Sequence, residues 1–185
     1  MAHILFLDTE TGGLRPQDAA LLTVGSVLLD DETGDLLMPQ EWFIRARRDR
    51  CNPRALEVNG INLLEHNKKA MKPRQFVASF TGALVLYAIA AGLQGENPKL
   101  RIGGHNINFD IRFIAAAFEK EGLDINNFFD YHYDDTMPVG RFLCGKGKLT
   151  ELCEYFQVDY PKAAQHTALG DSIAAAKLWY KMKYS

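Results

Sequence analysis

The apolar run Ile4-Leu5-Phe6-Leu7 ends abruptly in Asp8-Thr9-Glu10-Thr11-Gly12-Gly13, with two acids one residue apart. On a strand, side chains two apart point to the same face, so Asp8 and Glu10 project together. Adjacent carboxylates repel, and neither is desolvated cheaply unless a proton or a cation sits between them. A metal site answers that problem, although the stretch alone fits a strand ending in a polar turn equally well. The glycine pair lets the backbone turn sharply and leaves it uncovered for close approach by a ligand.

With 185 residues, 47% of them apolar, the chain is expected to form one globular domain over 1–185 and to bury a substantial core. Its net charge of -2 does not suit a nucleic-acid coat protein, so any phosphate ligand needs locally placed cations. Cys51, Cys144 and Cys153 form no close pair and no zinc-like spacing. They point to a reducing, cytoplasmic setting rather than a disulfide framework or zinc ribbon. The N-terminus has no secretory pattern. From Phe76 to Leu93 no residue is charged, a run of about eighteen that reaches the lower limit for a membrane span. Ser79, Thr81, Gly82, Gly92 and several alanines dilute it, and it reads as a helix buried inside the domain, with no membrane association.

In chain order, Leu21 to Leu29 and Leu36 to Ile44 follow the first strand as two more, joined by the turn Asp30-Asp31-Glu32-Thr33-Gly34-Asp35, with Pro39 marking an irregularity or an edge. The opening is a three-strand meander. Arg45-Ala46-Arg47-Arg48-Asp49-Arg50 is a basic cluster that could touch a phosphate backbone or remain a solvated loop. Asn52-Pro53 starts a short helix that Asn59-Gly60 stops, with Ile61 just beyond it. Pro73 opens the long apolar helix. Leu100 to His105 is a short strand, and Asn106 to Lys120 is helical, with Asn106 and Asp110 on one face and Phe109 and Phe113 in an apolar stripe. Phe128 to Tyr131 is one more strand, and helices follow through Phe142, over Lys148 to Phe156 and over Thr167 to Lys183. The fold class is α/β, a mixed sheet flanked by helices.

Three features invite a common explanation: Asp8 with Glu10 at a strand end, Asp110 on a helix after a strand, and His166 with Asp171 around the last helix. Five residues of helix turn through about 140°. His166 and Asp171 could not face one point from the same helix, so His166 is expected in the preceding loop. Four carboxylates without thiolates favour hard cations, Mg²⁺ or Mn²⁺. Two such ions roughly 4 Å apart can clamp a phosphate for in-line attack by water, and an imidazole suits the removal of that water's proton.

Asp8-Thr9-Glu10-Thr11-Gly12, Gly104-His105-Asn106-Ile107-Asn108-Phe109-Asp110, and His166 followed after four residues by Asp171 together resemble the three motifs of the DEDDh exonuclease family. Val58-Asn59-Gly60-Ile61, Asp135-Thr136 and Lys148-Leu149-Thr150-Glu151-Leu152 also look like family segments, and the likeness covers almost the whole chain. It implies the RNase H-like fold shared by proofreading, RNase T-like and oligoribonuclease-like members. It also implies removal of mononucleotides from single-stranded 3′ ends. By motif position Asp8, Glu10, Asp110 and Asp171 would hold two Mg²⁺ or Mn²⁺, with Asp8 bridging and Asp110 acting directly or through water. His166 would be the general base. The segment Thr9, Thr11, Gly12 would bind the terminal nucleotide, with Leu14, Ile61, Asn106 and Phe109 as the matching contact positions. The Asp-Thr-Glu-Thr-Gly form leans towards DNA over RNA. An RNase T- or oligoribonuclease-like exoribonuclease, a polymerase-bound proofreading subunit and a binding module without hydrolysis are the competing readings, the last being disfavoured because all five motif residues are present; a homodimer and a polymerase partner are both left open.

Overall fold

The computed structural model describes residues 3–95 and 98–184. Strands β1 (His3–Thr11), β2 (Leu21–Asp30) and β3 (Leu36–Phe43) form the expected antiparallel meander. Strands β4 (Leu100–Gly104) and β5 (Phe129–Asp135) add in parallel on the other side of β1, giving the order β3-β2-β1-β4-β5. The first strand is therefore central, with partners on both edges. Its alternation divides the core. Leu5 and Leu7 pack with helix α3 (Pro73–Ala90) and helix α4 (Ile107–Glu119), while Ile4 and Phe6 pack with helices α6 (Leu149–Tyr155) and α7 (Ala168–Lys183). Asp8 and Glu10 continue the even-numbered set, so they emerge on the α7 side.

How close α7 comes is set by one glycine. Asp8 lies opposite Gly25 on β2, and a Cβ at Gly25 would stand 2.2 Å from the Ala168 carbonyl carbon at the start of α7. No flexible side chain is there to yield. Gly25→Ala must push the N-terminal turn of α7, and Asp171 with it, away from β1. The expected cost is about 1–3 kcal/mol of stability, with loss of divalent-metal binding, read by thermal melts and a Mn²⁺ titration. The other end of α7 is clamped: Lys183 Nζ lies 2.8 Å from Asp31, which Arg101 approaches at 3.4 Å while also pairing with Asp134 at 2.6 Å.

Helix α1 (Pro53–Val58) begins as expected, with the Asn52 side chain accepting from the Arg54 N–H. Helix α2 (Leu63–Lys69) follows it and carries no apolar stripe; it buries only Leu63 and His66, and the Asn62 side chain caps it by accepting from Leu64 and Glu65. Helix α5 (Thr136–Cys144) is capped by Asp135, whose carboxylate accepts from Met137 N.

Three sequence expectations need correction. The uncharged helix α3 is not buried all round: Phe76, Phe80, Leu84 and Tyr87 face the core, but Val85, Leu86 and Ile89 are 52%, 52% and 67% exposed. Among the described residues no helix is long and apolar enough to cross a membrane. Asn106 does not share a helical face with Asp110. It precedes α4 in the left-handed region, at φ 62°, a conformation asparagine tolerates better than most residues. Strand β5 runs to Asp135, well past Tyr131.

Candidate active site

The sheet brings the predicted acids together from opposite ends of the chain. Ligand oxygens of Asp8 and Glu10 on β1 and of Asp171 on α7 lie within 4.8 Å of one another. Asp110 reaches the same strand from the other side of the sheet. It is buried in the first turn of α4 and accepts a hydrogen bond of 2.7 Å from Thr9 Oγ1. It stands outside the tight trio, yet its charge acts on both Asp8 and Glu10.

These carboxylates are poorly solvated and surrounded by their own kind. Burial, then the charges of Asp110, Asp171 and Glu10, raise Asp8 well above the ordinary carboxylate range. Burial, then Asp171, Asp110 and Glu41, push Glu10 up to about 8. Burial raises Asp110 to about 7 against the opposing hydrogen bond from Thr9. Asp171 is raised by burial, opposed chiefly by the phenol of Tyr160, which donates to its Oδ1. The named charges acting on Asp8 and Glu10 are all carboxylates. An oxygen-only donor set with surplus negative charge fits a hard divalent cation and offers nothing to a soft one.

A stability consequence follows. Between the ordinary glutamate value of 4.5 and about 8, folded Glu10 holds a proton that the unfolded chain has released. The unfolded state then binds fewer protons than the native one, so stability of the metal-free protein falls as pH rises through that window. Glu10→Gln should raise metal-free stability by a few kcal/mol at pH 8.5 and leave it little changed at pH 4.5. Chemical denaturation in chelator at the two pH values measures this.

His166 lies in the turn before α7, exposed and at φ 60°. Thr167 caps α7 by accepting from Gly170 N. A left-handed histidine costs energy and marks a backbone held in place by its surroundings. His166, Glu10 and Ile61 line one groove of about 860 Å³. Glu10 also lines a second cavity of about 430 Å³, with Thr9, Thr11, Leu14, Arg54, Val58 and Phe109. Leu14 is 81% exposed and Val58 59%. These apolar side chains stand free beside an acid cluster, where a planar base could rest on them.

The remaining predicted positions are built into the frame. Thr11 donates its hydroxyl to Gly13 O and accepts at its carbonyl from Asn59 Nδ2. Gly12 donates its N–H to Ala20 O and accepts from Asn52 N. A Cβ at Gly12 would meet Arg50 O at 2.5 Å, so glycine is required for the β1 end to pack on that segment. Asn106 donates its N–H to Asp135 Oδ1 at 2.8 Å and is absent from the lining of the two cavities. Two functional neighbours had no signal in the spacing: Tyr160, the partner of Asp171, and Glu41, whose charge falls on Glu10. Asp135 was visible only as part of a family-like segment.

Comparison with known proteins bears on the family and the fold. A family model described as Exonuclease matches residues 5–179. Ribonuclease T of Photorhabdus laumondii is 28% identical over 95% of this chain and 81% of its own length. Among solved structures, the nuclease domain of 3′hExo, a DEDDh family member bound to rAMP, superposes with a TM-score of 0.77 at 17% identity, covering 99% of this chain and 92% of that one. The zinc-bound form of an E. coli exonuclease I complex with single-stranded DNA gives 0.77 at 18% identity over 95% of this chain. This chain spans about two-fifths of the exonuclease I chains it resembles, 39% in that case. Such distant likenesses report the fold alone, an α/β sheet of the RNase H-like exonuclease type. Because the matched model runs through nearly all of it, the chain belongs to the exonuclease family that this model describes.

Proposed function

We propose that the protein forms a single cytoplasmic catalytic domain that removes nucleoside monophosphates one at a time from single-stranded 3′ ends, with DNA the favoured substrate. The observation that carries this reading is the convergence of Asp8, Glu10 and Asp171 within 4.8 Å, beside an open apolar ledge and an exposed histidine. Asp8, Glu10 and Asp171, with Asp110 directly or through water, would hold two Mg²⁺ or Mn²⁺. Such a pair, when bound, neutralises charge on the phosphate and makes water a better nucleophile.

The chain's own residues account for the rest. Leu14, Val58 and Phe109 stack on the terminal base without reading its edges, which suits removal irrespective of sequence. His166, on a loop open to the groove, takes the proton from the attacking water at an imidazole nitrogen. Tyr160 donates to Oδ1 of Asp171 and orients its carboxylate. A partner that orients a metal ligand is worth about 10–100-fold in metal affinity, so Tyr160→Phe should weaken Mn²⁺ binding by about that factor, measured by electron paramagnetic resonance.

A second reading, an exoribonuclease, is favoured by the relatives that carry the name Ribonuclease T. End-labelled DNA and RNA strands of one sequence, single- and double-stranded, incubated with Mg²⁺ or Mn²⁺, test both. A ladder shortening from the 3′ end of single strands supports the proposal. Faster shortening of RNA selects the second reading, and retention without shortening rejects hydrolysis.

A further inference from the structure

The arginine-rich segment before α1 takes no part in the chemistry above, yet the fold lays it against the active-site strand. Ala20 donates to Arg50 O and Asn52 donates to Gly12 O, at 2.9 and 2.7 Å, so the Gly12–Gly13 turn is sewn to residues 50–52 by its backbone. That seam joins three cavities. The ledge cavity of about 430 Å³ beside Glu10 shares Gly13, Leu14 and Asn52 with a cavity of about 390 Å³. The latter shares Ala19, Asp49 and Arg50 with a third, of about 470 Å³, whose rim carries Arg45, Arg47 and Lys120 together with Glu121.

Positions 45–54 carry five arginines and one acid, in a chain whose net charge is -2. Arg50 donates to Pro16 O and Ala19 O and is committed to holding the turn. Arg47 meets Asp49 at the exposed surface, a pairing that competing phosphate and water can exchange at little cost. Of the three cavities, the far one carries an excess of cations, Arg45, Arg47, Arg50 and Lys120 against Asp49 and Glu121, whereas the middle one balances Arg15 and Arg50 with Asp18 and Asp49.

We propose that this chain of cavities is the track of the substrate strand upstream of the bond being cut, with Leu14 at its entrance and Arg45, Arg47 and Lys120 holding backbone phosphates at its far end. The inference rests on the exonuclease reading and adds where the strand goes. A single strand suits the path, which passes over exposed Leu14, where an unpaired base can rest, and ends beside exposed cations that the backbone can meet. Phosphate contacts of this kind give affinity without sequence choice. The track gives a chain of net charge -2 a local excess of cations for a polyanion, in a cavity that none of the four clustered carboxylates lines.

The test compares wild type with the double variant Arg47→Ala, Lys120→Ala, both positions being exposed. Substrates are single strands of two to ten nucleotides, at several salt concentrations. For wild type, KM should fall with length and level off once the track is filled. For the variant, KM for the longest strand should rise several-fold, and the slope of log KM against log salt should drop by about 1.4, the value for two lost phosphate contacts at about 0.7 each. Cleavage of the dinucleotide, too short to reach these residues, should be unchanged. Equal length and salt profiles in the two proteins, or a loss as large on the dinucleotide as on the decanucleotide, would overturn the track. Absence of cleavage of any strand by folded wild type would instead remove the exonuclease reading on which it stands.

Discussion

Asp8→Ala should abolish detectable hydrolysis while the protein remains folded. Asp8 lies opposite Gly25 on the central strand, with Asp110, Asp171 and Glu10 all acting on its charge. Removing it takes away the ligand common to both proposed ions. A single well-placed electrostatic group is worth about 10²–10³ in rate, and loss of the shared ligand should exceed that, leaving less than about one-thousandth of wild-type turnover. The same change relieves like-charge repulsion, so the metal-free variant should melt at or above the wild-type temperature at pH 8. Turnover and melting measured on one preparation separate the loss of function from a loss of fold. Wild-type activity in Asp8→Ala would sink the assignment.

His166→Ala should slow turnover by about 10²–10⁴-fold, the usual worth of a general base, and leave metal binding intact. The backbone complicates this variant, since His166 sits at φ 60°, where alanine is strained and asparagine is tolerated. His166→Asn therefore preserves the loop while lacking the base, and both variants should fall by similar factors. If His166→Asn retained full activity, the residue would be a bystander.

The parts of this molecule legible in the sequence were those with short-range causes. The apolar run before Asp8 and the alternation of β1 placed Asp8 and Glu10 on one face, and the five-residue interval put His166 in a loop ahead of Asp171. The Asn52-Pro53 start located α1, and the last helix, read from Thr167, begins where the Thr167 side chain caps it. What stayed hidden depended on long-range packing. Helix α2 buries two residues only, so no periodicity announced it. Strand β5 is half polar, with Asp130, His132 and Asp134 interrupting its pattern. The outer face of α3 is as uncharged as its inner one, and composition alone could not show that half of it meets solvent. Tyr160 reaches Asp171 across a loop, and Gly25 matters only because α7 crosses above it. Neither relation exists before the chain is folded.

The roles given to these residues stand or fall on a divalent ion seated among acids from β1 and α7. Crystals grown in Mn²⁺, with diffraction collected at the manganese edge, test that most directly. The account predicts an anomalous peak in contact with carboxylate oxygens of Asp8, Glu10 and Asp171, and its disappearance in Asp8→Ala. A protein saturated with Mn²⁺ that showed no peak among these three side chains would contradict it.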